Sequence, residues 1–88
     1  MSFVIEAIQY LRPNGRKKSI STSLSDDFQP AYEKMCDAGY RLELEVLSTG
    51  MVSATISNDE EDIAISLTKN NNEVNRGIEK MLLDKFGT

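Results

Sequence analysis

Between Tyr40 and Thr68, apolar and polar residues alternate in three short runs. Tyr40, Leu42, Leu44 and Val46 alternate with Arg41, Glu43, Glu45 and Leu47. Val52, Ala54 and Ile56 alternate with Ser53, Thr55 and Ser57, and Ile63, Ile65 and Leu67 alternate with Ala64, Ser66 and Thr68. Successive side chains of a strand point to opposite faces, so a period of two predicts three strands, each with one apolar face. Ser48-Thr49-Gly50 and residues 58–62 have turn composition. The three strands therefore form an antiparallel meander. Its expected inner face is the first-named set of each run, including Ile63, Ile65 and Leu67. A slip of one residue would turn a whole set to water, so the pattern also specifies register.

Before the meander, residues 2–11 are rich in Phe, Val, Ile and Tyr and read as a strand. Phe3, Ile5, Ala7, Gln9 and Leu11 fall on one face, and Val4, Glu6, Ile8 and Tyr10 on the other. Both faces are partly apolar, which suits a central strand or one with an exposed apolar stripe. Pro13-Asn14-Gly15 is a hairpin signal: proline presets its own φ, and Asn-Gly tolerates positive φ. The return strand, residues 17–24, turns Ile20, Thr22 and Leu24 to the core and Ser19, Ser21 and Ser23 to water. So polar a strand belongs at an edge, where Lys17 and Lys18 discourage edge-to-edge pairing.

Residues 25–38 predict a first helix, with Phe28, Ala31, Tyr32, Met35 and Ala38 on one face. Pro30 must lie in the first turn, whose N–H groups are unpaired, which points to Asp27 as N-cap with Asp26 beside it. Gly39 is the expected left-handed C-cap. A last helix over residues 71–86 carries Val74, Ile78, Met81, Leu82 and Phe86 as its stripe. Asn70 with Glu73 has capping-box spacing, and Asn72 competes for the cap. Gly77 lies inside the stripe at a cost of about 1 kcal/mol relative to alanine, and close helix–sheet approach is its expected reason.

The order is ββαβββα. Two amphipathic helices and a sheet with one apolar face predict an α+β two-layer sandwich: a mostly antiparallel five-stranded sheet with both helices on one face and the other face open. Eighty-eight residues make one domain over 1–88.

Composition narrows the function classes. Fourteen acidic against ten basic residues give a net charge of −4, which disfavours binding nucleic acid with the whole surface. One cysteine excludes an internal disulfide framework and fits a reducing compartment. No apolar run nears the roughly 20 residues that span a bilayer, and the first residues lack the basic flank of a signal peptide. A cytoplasmic location is expected.

The chain has no histidine, which removes the commonest general base, the Ser-His and Cys-His pairs and the usual zinc ligands. Cys36 next to Met35 reads as a half-buried structural thiol. No phosphate loop or dinucleotide fingerprint is present. Asp59-Glu60-Glu61-Asp62 has charge enough for a hard cation but lacks the alternating ligand pattern of a calcium loop, so a solvated turn is the simpler reading. Asp26, Asp27, Glu43 and Glu45 could pair as carboxylates, but no insertion builds a pocket around them. No cofactor is expected, and the chain is expected not to be an enzyme.

Two surfaces are left. The outer face of the meander, with Arg41, Glu43, Glu45, Leu47, Ser53 and Thr55, and with Ile8 and Tyr10 alongside, mixes polar groups with a few large apolar ones and suits a protein partner or a homodimer. The hairpin residues Arg12, Arg16, Lys17 and Lys18 are the nucleic-acid alternative, since basic side chains on a β-hairpin can hold phosphates. A plain solvated hairpin is the simpler account of four charges.

Tyr10-Leu11-Arg12-Pro13-Asn14-Gly15-Arg16, Ala38-Gly39-Tyr40-Arg41 and Thr49-Gly50-Met51-Val52-Ser53 together resemble a group of small uncharacterised proteins encoded by tailed phages and prophages. The chain departs from that group at Asn70-Asn71-Asn72, where a loop with glycine and proline is expected. The resemblance implies a phage accessory protein meeting a host or phage protein in a host cytoplasm. It implies no catalytic activity.

Overall fold

A computed structural model describes residues 1–11, 15–69 and 73–87. Five strands and two helices follow the expected order: β1 Ser2–Leu11, β2 Arg16–Ser25, α1 Gln29–Asp37, β3 Arg41–Val46, β4 Val52–Ser57, β5 Asp62–Thr68 and α2 Val74–Phe86. They form one mixed sheet, ordered β2-β1-β3-β4-β5. All neighbours are antiparallel except β1 and β3, which pair parallel over only four residues of each, from Ile8↔Glu43 to Leu11↔Val46. β1 is therefore a central strand, which accounts for apolar residues on both its faces. It also keeps an exposed stripe, because the parallel pairing leaves Ser2–Ala7 with β2 alone; Val4 is 66% exposed.

The core lies between the sheet and the two helices. Ile5 and Ala7 of β1, Leu24 of β2, Leu42 and Leu44 of β3, and Val52, Ala54 and Ile56 of β4 are buried against Ala31 and Met35 of α1 and Val74, Ile78, Met81 and Leu82 of α2. These are the inner faces that period-two reading assigns to β2, β3 and β4; in β1, whose two faces are both partly apolar, it is the Ile5 and Ala7 face that turns inward. Ile20 is partly buried against the same core, and Ser19, Ser21 and Ser23 face water.

β5 breaks the expectation. Its register sets Ala64, Ser66 and Thr68 opposite Ile56, Ala54 and Val52, on the inner face. Ile65 and Leu67 lie opposite Thr55 and Ser53 on the outer face and are 65% and 57% exposed. The cause is a β-bulge: Ser57 pairs Asp62 while Ile56 pairs Ala64, so Ile63 is an extra residue. Ile63 and Ala64 both pack against the core, and everything after them is turned over relative to a regular strand. The small inner residues let α2 come close. A Cβ on Gly77 would collide with Ser66 Oγ and lie 3.2 Å from Ser66 Cβ and 3.5 Å from Thr68 Cγ2. Close approach is thus the reason for a glycine in mid-helix.

The first helix also starts differently. Residues Asp26–Phe28 form a 3-10 turn that Ser25 caps, its Oγ accepting from the Asp27 N–H at 3.4 Å. α1 begins only at Gln29, with Pro30 in its first turn and no side-chain cap, so Asp27 is not its N-cap. Its C-terminus is a Schellman motif: Gly39 has φ +85°, its N–H donates to the Cys36 carbonyl at 3.0 Å, and the Tyr40 N–H donates to Met35 at 3.1 Å. Ala38, expected in the stripe, is exposed within this cap. Cys36, expected half-buried, is exposed, one step of 100° off the buried Met35. The expected caps Asn70 and Asn72 of the last helix, and Pro13-Asn14 of the hairpin, lie outside the described residues. α2 itself begins after Glu73, and Gly15 has the positive φ, +70°, expected of it.

Candidate functional site: the open sheet face

The strand registers assemble the outer face into rows that cross the whole sheet. One row runs Lys17, Tyr10, Glu45, Ser53, Leu67, and the next runs Ser19, Ile8, Glu43, Thr55, Ile65. Tyr10, Glu43, Glu45, Ser53 and Thr55 are thus brought together, with Ile8 and Tyr10 of β1 directly beside β3. Arg41 lies on the same face one step further, opposite Ser57. Leu47 lies outside the rows, in the β3–β4 turn, where its N–H donates to Met51 at 2.8 Å and its carbonyl accepts from Gly50.

A shallow depression of about 240 Å³ opens on this face, lined by Tyr10, Glu43, Glu45, Thr55, Ser57 and Asp62. Its carboxylates are not a loose acidic pair. Glu43 accepts from Ser57 Oγ at 2.9 Å and lies 3.3 Å from Arg41 Nε. Arg41 also donates through Nη1 to Asp59 at 3.0 Å, and that hydrogen bond, more than Glu43, raises its already high pKa. The acidic turn is built inward. Asn58 Oδ1 accepts from the N–H groups of Glu60 and Glu61 at 2.9 and 2.8 Å, and the Asn58 N–H donates to the Glu61 carbonyl. Asp59 is then held by Arg41 and Glu61 by the Tyr40 hydroxyl, at 2.7 Å. That hydrogen bond to a carboxylate is the main cause that raises the Tyr40 pKa. Among the described residues, no group of three His, Cys, Asp or Glu is arranged to hold a metal ion.

At the end of their short pairing, β1 and β3 diverge. A cleft of about 370 Å³ lies there, lined among others by Glu6, Tyr32, Cys36, Tyr40 and Arg41. Burial, with the neighbouring Cys36 second, raises the Tyr32 phenol. Tyr32 also packs against Phe3 with centroids 5.8 Å apart and the rings tilted by 59°, a packing role. The basic residues Arg16, Lys17 and Lys18 are all exposed at the end of the β1–β2 hairpin, and Arg12 lies outside the described residues. Asp26 and Asp27 are exposed in the 3-10 turn, away from Glu43 and Glu45, which sit on β3.

Sequence reading missed two members of the face, Ile65 and Leu67. Their signal was present but inverted, because alternation alone fits either face and the bulge decides between them. No protein-family model, curated protein or solved structure matches this chain.

Proposed function

We propose that this chain is a protein-interaction module without catalytic activity of its own, and that it docks a partner protein through the open sheet face. The observation that carries this reading is the outward turn of Ile65 and Leu67. They place apolar groups at the β5 end of a face that holds Ile8 and Tyr10 at its β1 end, with Glu43, Glu45, Ser53 and Thr55 between them. Two large apolar side chains side by side on one strand, rimmed by ordered polar groups, have the composition of a docking surface. The phage-encoded origin and cytoplasmic setting suggested by the turn motifs belong to the same proposal, which then names a host or phage protein as the partner.

Two other readings are weaker on this surface. The basic hairpin offers exposed Arg16, Lys17 and Lys18 to phosphate, but the acidic Glu43 and Glu45 of β3 lie on the same face beyond β1, with Tyr10 between Lys17 and Glu45, and oppose an anion there. Glu43, one half of the conceivable carboxylate pair, is occupied by Ser57 and Arg41, which leaves it poorly placed for acid–base work.

The test is a comparative capture from lysate of the source cell. Immobilised native chain and an Ile65→Asp/Leu67→Asp chain are used side by side, with Lys80→Asp on exposed α2 as the control. A protein retained by the native and Lys80→Asp chains but lost from the double variant is the expected result. Identical recoveries from all three overturn the reading.

A further inference from the structure

The two edges of the sheet are unlike. β2 is guarded by Arg16, Lys17 and Lys18 and by a serine-rich outer face. β5, the other edge, reads Asp62-Ile-Ala-Ile-Ser-Leu-Thr68 and carries neither lysine nor proline within the strand. Its bulge is confined to the Asp62 end, so Ala64 through Thr68 form a regular edge. Such an edge presents an unpaired backbone ladder that another strand can complete.

Its sequence is its own complement. Consider β5 paired antiparallel with β5 of a second copy about a two-fold axis at Ser66. Ile65 then faces Leu67 of the second copy, and Leu67 faces Ile65, on the same outer face. Ala64 faces Thr68 in both directions. The bulge brings Asp62 to the place that residue 63 takes in a regular strand, so Asp62 comes level with Lys69 of the second copy, the residue just past the end of β5, and Lys69 with Asp62. Both residues are exposed. Symmetry doubles each contact, as in any isologous interface. A foreign strand would need an apolar pair and two charges in matching order; the chain already supplies them.

We propose that β5 is a self-association edge, through which two copies form a continuous ten-stranded sheet with all four helices on one side. This deepens the reading above and rests on it in one respect, that the β5 side of the open face is a docking surface. Charge complementarity between Asp62 and Lys69 selects a second copy as the occupant. The paired strands alone bury less than the roughly 1,200 Å² of a standard interface, so the dimer is weak and concentration-dependent.

The experiment is sedimentation equilibrium on the full chain from about 10 µM to about 1 mM, a range suited to a weak interface. The native chain is expected to shift from monomer to dimer. Lys69→Glu sets a carboxylate against the carboxylate of Asp62, and Asp62→Lys sets an ammonium group against that of Lys69. Each substitution alone weakens the dimer by about tenfold or more. An equimolar mixture of the two restores it as a heterodimer, as does the double variant Asp62→Lys/Lys69→Glu with itself. Circular dichroism confirms that each variant is folded. A native chain that stays monomeric throughout, or a dimer indifferent to these reversals, overturns the proposal. Lysate capture that is lost in Ile65→Asp/Leu67→Asp but intact in Lys69→Glu, from a monomeric native chain, overturns self-pairing while leaving the docking face standing.

Discussion

At the scale of single residues, a few hold positions that composition would not explain. Gly77 is one. Alanine there gains helix propensity of about 1 kcal/mol, yet its Cβ meets Ser66, and lifting α2 to relieve the clash would loosen the buried packing of Ile78 and Leu82. Gly77→Ala is therefore expected to lower stability by about 1–2 kcal/mol net, and Ser66→Ala in the same chain to recover part of the loss, read by urea denaturation. Tyr40 is another. Its phenol donates to Glu61, its ring packs tilted against Phe86 with centroids 6.0 Å apart, and its pKa is raised above the ordinary value near 10. The folded state then holds a proton that the unfolded state releases first, so the stabilisation is whole below about pH 10 and is lost as pH climbs through the folded pKa. Tyr40→Phe should flatten that alkaline fall in stability, while Tyr32, raised by burial, continues to contribute to it. By contrast Arg41, though it bridges Asp59 and Glu43, does so in water, and Arg41→Ala should cost no more than about 1 kcal/mol.

At the scale of elements, β2, β3 and β4 could be read directly because each offers only one sensible inner face, while β1, apolar on both faces, could be read as a strand but not oriented. β4 has Val52, Ala54 and Ile56 against Ser53, Thr55 and Ser57, and no other assignment hides the apolar set. β5 offers the same contrast, Ile63, Ile65 and Leu67 against Ala64, Ser66 and Thr68, and yet takes the opposite one. The space beneath α2 is already filled by Ile56, Ile78 and Leu82, all but fully buried, and what remains admits only small side chains. That is a tertiary constraint, and no window along the chain contains it. The open face was legible for the same reason that β3 and β4 were, and illegible at Ile65 and Leu67 for the same reason that β5 was. Substitution separates the two cases. Ile65→Thr and Leu67→Thr should each change stability by less than about 1 kcal/mol, whereas Ile56→Ala and Ile78→Ala should each cost about 2–4 kcal/mol by thermal or urea unfolding. Equal losses in both pairs would contradict the face assigned to β5.

At the scale of the whole molecule, the sheet has a seam. The β1–β2 hairpin is ten residues long on each side, and the meander is continuous from β3 to β5, but the two join through four residues of β1 and four of β3. α2 spans the join, with Asn75 donating to the Ser23 carbonyl of β2 at 3.3 Å while Gly77 rests on Ser66 of β5. The seam sets an order in time. β1 ends as an interior strand, yet a ribosome delivers it about thirty residues ahead of β3, the neighbour that makes it interior. Until then its far edge can pair with nothing of its own chain, and the hairpin waits half-finished while α1 and the turn at Gly39 emerge. Non-local parallel pairing is slow to close, so the interval is set by chain entropy as well as by synthesis. A newborn chain of this protein thus passes through a stage at which a strand destined for the interior of the sheet stands as an open edge. Whatever shields β1 during that stage governs how much of the protein reaches the folded state.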